Sequence, residues 1–274
     1  MKIAIFCVTY NSYNELTNYL SSIDVASKVA VETISVDVFI ADNTEKDYAV
    51  INNLDTFSNI NCQVFPYHQN LGYFGGIQSM MKNVNLLVYD YIALTNVDLT
   101  ISEDAFIKLV NLDVDNNVGW IAPAILSEKE GRDRNPSVLM RYSKLKLMML
   151  KFKFDFPLMD FVYNRTFYKR KQFMNRKYSQ MDIYAGHGSF ILLTKQFFQK
   201  CGLINYPIFL FGEELYLAEE CRKHSLRVVY NPSIKIYDKE HVSTGKMKRN
   251  QLFIKTFYHK CNSNALGFIL NKYY

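Results

Sequence analysis

The 274-residue chain is 49% hydrophobic and 21% charged, with 11 Gly and 6 Pro, which excludes disordered, collagenous and low-complexity proteins and fits one large domain with an appendage. Its net charge of +6 is uneven: residues 139–178 hold eleven Lys/Arg against Asp155 and Asp160, residues 246–274 hold six against no acid, and the rest is net acidic. An anionic partner is expected at the two basic, aromatic-rich pieces, whereas nucleic-acid binding fits poorly with an acidic body that shows no known binding module.

In chain order, Lys2–Thr9 is a short apolar run of buried-strand type, and Ser12 predicts the cap of a helix to about Ile23. Ser35–Ala41 and Asn61–Phe65 read as the next strands. The turn Asn70-Leu71-Gly72 predicts a helix from about Gly75 to Val88. Tyr91–Thr95 is a fourth strand, Ser102 predicts a helix to about Leu112, and Val118–Ala122 is a fifth strand. The basic stretch 139–178 interrupts the alternation, with Leu145, Met148, Met149, Phe152, Phe156 and Phe161 at roughly helical spacing among its lysines. Beyond it, Ser189–Thr194, Leu226–Tyr230 and Ile234–Tyr237 read as strands, and Glu213 to about Lys223 as a helix. Strands alternating with helices predict an α/β fold with a mainly parallel sheet flanked by helices. The expected organisation is a domain over 1–245 with a basic helical insertion, then a basic aromatic segment over 246–274 that packs on the domain or on a membrane. Five scattered cysteines without a CxxC pair indicate neither a disulfide framework nor a zinc site. No uncharged apolar run reaches the ~18 residues of a membrane span. With no signal-peptide pattern at the start, a cytoplasmic protein is expected.

Ligands of such sheets bind outside the carboxyl ends of the strands, and polar residues cluster there: Thr9-Tyr10-Asn11, Asp42-Asn43 and Asn96-Val97-Asp98. Asn96 and Asp98, two apart in extended chain, can face one ligand, and their oxygens suit Mg²⁺ or Mn²⁺; a turn-capping role for Asp98 is the alternative. Asp42 can accept from a base N–H or a ribose hydroxyl, or form an Asx-turn. Asn70, Gly72, Gly75 and Gly76 lie where a helix is about to begin and its N-terminus favours anions. Glu213 and Glu214 open a helix, about 100° apart around it, so at most one addresses a given substrate atom; the dipole favours the ionised form, ready to accept a proton. His241 can complete a metal shell begun by Asp98, and His187, in a Gly-rich loop, is a weaker candidate for a sugar or acceptor contact.

Taken in order, Val8-Thr9-Tyr10-Asn11-Ser12, Ala41-Asp42-Asn43, Asn70–Gly76, Thr95–Asp98, Gly188-Ser189-Phe190, Phe209–Glu214 and Lys239–Thr244 resemble the family 2 glycosyltransferases of GT-A fold. The form is similar to bacterial members that build capsular or other surface polysaccharides, including the rhamnosyl- and galactofuranosyl-transferase-like group. The resemblance implies metal-dependent, inverting transfer of a sugar from a nucleotide-diphosphate donor, UDP-linked first and dTDP-linked second, to a hydroxyl of a glycan or lipid-linked acceptor. It implies that Thr9, Tyr10, Asn11, Asp42 and the Asn70–Gly76 turn hold the nucleoside. Asp98 and His241 would hold the metal, and Glu214, preceded by Glu213, would deprotonate the acceptor. Asn96 stands where many members have Asp, and Tyr216 where a second acid is common. A sugar nucleotidyltransferase, or a non-catalytic binder on the same scaffold, is the alternative reading. The basic segments predict peripheral contact with anionic lipid at the inner membrane face, or else an insertion packed on the domain.

Overall fold

The computed structural model describes residues 1–30, 33–45, 51, 54–156, 178–239 and 251–274. Glu240, His241 and most of the second half of the basic insertion therefore lie outside the described residues.

Four strands, β1 (Lys2–Thr9), β2 (Ser35–Asp42), β3 (Asn61–Pro66) and β4 (Tyr91–Thr95), pair in parallel in the order β3-β2-β1-β4. Alternate residues of β1 serve two cores. Ile3, Ile5 and Cys7 meet α1 (Tyr13–Val29) through Leu16, Tyr19 and Ile23. Ala4 and Phe6 meet Phe74 and Ile77 of α2 (Tyr73–Met81). Burial on both faces is why β1 and β4 read as unbroken apolar runs.

Past β4 the sheet becomes mixed. β9 (Phe190–Thr194) runs antiparallel to both β4 and β6 (Val118–Ser127). β10 (Arg227–Asp238) is parallel to β6, and β5 (Leu99–Ile101) closes the path antiparallel to β10. β7 (Arg132–Asp133) and β8 (Met181–Ile183) attach to β6 and β10. α3 (Ala105–Val110) covers the α1 face. The other face is covered by α4 (Lys144–Asp155), α5 (Lys195–Cys201), α6 (Glu213–Lys223) and α7 (Gln251–Tyr273), which contribute Leu147, Phe197, Leu217 and Leu266 to one core. No helix among the described residues is long and apolar enough to cross a membrane.

Several expected boundaries move. α1 continues to Val29 because Ile23 and Ala26 still face the core. α2 already stops at Met81, after which the chain turns into a short 3₁₀ segment, Leu86–Val88. Asp104 rather than Ser102 precedes α3, and the Ser102 hydroxyl donates to the Asp104 carboxylate (2.8 Å). Leu226–Tyr230 and Ile234–Tyr237 belong to one strand, β10, whose register slips between Asn231 and Lys235, around Pro232. A Pro lacks the N–H for the ladder and is tolerated at such a bulge.

Candidate active site

Because β1, β2, β4, β6 and β10 share a direction, the residues that follow them gather along one edge. Thr9 lies opposite Asp42, and Cys7 opposite Thr95. β9 and β5 begin at that same edge, with Phe190 opposite Thr95 and Leu99 opposite Asp238. Asp98 thus stands where the chain leaves β4 for β5, and Gly188-Ser189 where it enters β9.

At the β1–β2 end, Asn11 takes a left-handed conformation (φ 53°) and its backbone N–H donates to Thr44 Oγ1 (3.0 Å). Tyr10 and Asn11 are exposed. The buried Asp42 accepts the Thr44 backbone N–H at Oδ1 (3.0 Å), an Asx-turn, and the Tyr13 hydroxyl at Oδ2 (2.9 Å). Its carboxylate is therefore fixed before any ligand arrives. Two neighbouring buried oxygens, Thr9 Oγ1 and Asn43 Oδ1, have no hydrogen-bond partner among the described residues, and neither do Tyr67 Oη and His68 Nδ1. Buried polar atoms are rarely left unsatisfied, so these suit a polar ligand. Tyr67 and His68 carried no role in the sequence reading, and Asn43 entered it only as part of the polar end of β2.

The glycine-rich turn is used mainly for packing. Gly72 sits at φ 75°, and a Cβ there would stand 2.4 Å from the Phe209 carbonyl oxygen; only glycine fits this turn and close approach. Asn43 Nδ2 donates to the Gly72 carbonyl (3.0 Å), and Asn70 Oδ1 accepts the Gly72 N–H (3.2 Å). The missing side chain of Gly76 lets α2 lie against Val8 and Ala41, while Gly75 faces Leu71.

Phe211 (φ 72°) and Gly212 (φ 82°) are both left-handed just before α6, and the Tyr206 hydroxyl clamps the Phe211 carbonyl (2.6 Å). Holding a phenylalanine there costs about 1–2 kcal/mol and aims the first turn of α6. Glu213 is buried and Glu214 partly so. Desolvation, then the Glu214 charge, holds the Glu213 proton affinity above the carboxylate range; desolvation does the same for Glu214. Neither has an ion-pair partner among the described residues.

Tyr73 joins the two sides. Its hydroxyl donates to the Gly188 carbonyl (3.4 Å). Burial raises its pKa well above the ordinary phenol value, with further contributions from the charges of Glu213 and Asp98. The Asn96 N–H donates to the Ser189 carbonyl (2.9 Å), and Glu214 Oε2 lies 3.6 Å from where a Gly188 Cβ would stand. Tyr73, Gly188 and Glu214 therefore lie together, and the Asn96–Ser189 bond ties the turn that carries Asp98 to the same loop.

The donor chemistry at Asp98 suits a hard cation. Asp98 is half-buried; desolvation raises the pKa of the buried Asp238, Arg134 paired with it (2.7 Å) opposes the shift, and the Asp98 charge adds a smaller push upward. A cation would relieve that repulsion between carboxylates. Among the described residues no three His, Cys, Asp or Glu side chains form a cation cage, and His241 lies outside them.

His187 is turned to the scaffold. Its Nδ1 accepts the Ser189 backbone N–H (3.2 Å), which leaves the ring proton on Nε2, and its own N–H donates to Asn135 Oδ1 (2.8 Å). Burial, with Arg134 and Arg132, pushes its pKa down to about 4, so it is neutral and orders the Gly188 loop. Tyr216 also points inward: its hydroxyl accepts the Asn205 N–H (3.1 Å) and its ring packs on Tyr206 (5.0 Å) and Phe268.

No protein-family model and no curated protein matches the sequence. Solved structures do match in fold. TarS 1–349 of S. aureus superposes with a TM-score of 0.55 at 10% identity, over 87% of this chain and 60% of that one. The same protein in complex with UDP-GlcNAc gives 0.53 at 10%, over 89% and 60%. GalNAc-T7 with UDP, GalNAc and Mn²⁺ gives 0.57 at 10%, over 95% and 48%. The fold is GT-A. The chain spans 60% or less of the length of these three structures.

Proposed function

We propose that the protein is an inverting glycosyltransferase that moves a sugar from a nucleotide-diphosphate donor to an acceptor hydroxyl in surface polysaccharide synthesis. The observation that carries this reading is the Gly188-Ser189 loop, whose Ser189 carbonyl accepts the Asn96 N–H (2.9 Å), two residues before Asp98, while Gly188 stands beside Glu214 Oε2. The GT-A fold and the UDP-containing neighbours favour UDP-sugars, with dTDP-sugars second.

In this reading Thr9, Tyr10, Asn11, Asn43 and the Asp42 turn receive the nucleoside. Asp98, with His241, holds Mg²⁺ or Mn²⁺, which when bound supplies counter-charge to the diphosphate. Glu214 takes the proton from the acceptor O–H as that oxygen bonds to the anomeric carbon; the carbon–oxygen bond to the diphosphate breaks on the opposite face, its electron pair leaving with the phosphate oxygen. The desolvation that raises the pKa of Glu214 makes it a stronger base than an exposed glutamate. The Glu214 charge adds to desolvation in raising its neighbour Glu213, which keeps that second carboxyl protonated beside the base. Tyr73, kept neutral, donates a hydrogen bond across the gap.

Release of UDP from UDP-sugars with Mn²⁺ tests the reading. Turnover in the native chain that disappears in Asp98→Ala, with the thermal melt unchanged, is expected. Full turnover in that variant, or none in the native chain with any UDP- or dTDP-sugar, overturns it.

A further inference from the structure

α4 carries two apolar stripes. One faces inward: Leu147 is 1% exposed, with Leu150 and Phe154 packed against the same core. The other, Leu145, Met148, Met149 and Phe152, falls at i, i+3, i+4 and i+7 and is 50–68% exposed, and Phe156, just past the helix and 51% exposed, packs its ring on Phe152 (4.5 Å). Isolated exposed apolar residues need no explanation, but a row on one helix face does. Four lysines (Lys144, Lys146, Lys151, Lys153) accompany the row, and the one acid, Asp155, is engaged by Lys151 (2.7 Å) and Ser263. Lys146 already lies over the Tyr142 ring (3.8 Å).

The helix is held rigidly in this pose. It packs antiparallel to α7: Arg141 and Lys144 bond the carbonyls of Tyr273 and Tyr274 (3.3 and 3.0 Å), and at the far end the Phe154 ring meets His259 (5.6 Å). α7 in turn presents Phe257 to Phe209 (6.2 Å), in the loop that launches α6. Both of these rings are more than a third exposed.

We infer that the outward face of α4 docks on an anionic phospholipid bilayer, with Met148, Met149, Phe152 and Phe156 in the acyl boundary and the lysines at the phosphates. Charge selects this occupant. Lysine stems snorkel along apolar surface and their ammonium groups meet anionic headgroups, whereas a second copy of this face would set lysine against lysine. In the transferase reading, docking favours an acceptor carried on a lipid. That last step rests on the transferase reading; the docking itself does not.

Sedimentation of the full chain with vesicles, without nucleotide, tests the docking independently of any transfer. Equal parts phosphatidylglycerol and phosphatidylcholine should carry the protein down, and phosphatidylcholine alone should not. Met149→Ser/Phe152→Ser, both on the solvent side, should lower the bound fraction about tenfold with an unchanged melting curve. Lys146→Gln/Lys153→Gln should weaken binding and its salt dependence together. Absence of binding to the mixed vesicles, or native-like binding by Met149→Ser/Phe152→Ser, overturns the proposal. So does a dimer in light scattering that dissolves in that variant while vesicles stay unbound, which would give the face to a second copy.

Discussion

The two ends of α6 carry the same sequence feature, a pair of adjacent glutamates, in opposite chemical states. Glu219 is fully buried yet held below the ordinary range: Arg141 (2.7 Å), Arg222 (2.7 Å) and the Tyr184 hydroxyl (2.6 Å) outweigh its desolvation. Lys272 (2.9 Å) and Tyr273 do the same for Glu220. Among the described residues Glu213 and Glu214 have no such partners, and burial lifts both. Burial alone therefore does not mark a chemical group. Burial without a cation does, because it leaves a carboxylate with proton affinity to spend on a substrate.

Exchanging charge for amide at each end separates the roles. Glu214→Gln should lower turnover about 100- to 10,000-fold while donor affinity and stability hold, since only proton removal is lost; steady-state kinetics with donor titration checks this. Glu219→Ala should instead cost about 2 kcal/mol in urea unfolding, at the low end for a broken buried pair because Arg141 and Arg222 reach solvent. If it lowered turnover without lowering stability, the contrast between the two ends would fail. Gly72→Ala strikes the loop contact beside the active end. The left-handed backbone alone costs an alanine about 1–2 kcal/mol, and the clash of its Cβ with the Phe209 carbonyl should take the loss in the same assay beyond that. Tyr73→Phe should reduce turnover about fivefold, one hydrogen bond's worth, and leave the melting temperature in place.

The smallest effect is on pH. Glu213 and Glu214, raised when folded, bind protons more tightly in the native state, so their contribution falls as pH rises from the unfolded value through the folded one. Glu219 and Glu220 act oppositely: their contribution is present above the unfolded value and is lost as pH falls through the folded one. Urea midpoints across pH should therefore flatten on the neutral side in Glu213→Gln and on the acid side in Glu219→Gln.

The parallel strands were legible because burial on both faces of β1 and β4 leaves continuous apolar runs that end in polar residues. β5, β7 and β8 are two or three residues long, too short for a periodicity, and exist because longer neighbours offer them a free edge. Reading β10 as two strands took Asn231-Pro232-Ser233 as a break; parallel pairing with β6 resumes beyond it. At the site, position at a strand end marked Asp98 and position at a helix start marked the Glu213–Glu214 pair, while the family resemblance singled out Glu214. Tyr73 entered only as a member of the Asn70–Gly76 turn, because a tyrosine after a glycine turn carries no local signal of what it will face.

Local pattern, then, determined the alternation of strands and helices, the polar strand ends and the two glutamate pairs of α6. Tertiary structure decided which pair is neutralised. Arg141 and Lys272 reach Glu219 and Glu220 from 78 and 52 positions away along the chain. Proton affinity depends on the solvent removed and the charges brought near by the whole fold, and neither quantity is written in the residues beside a carboxylate.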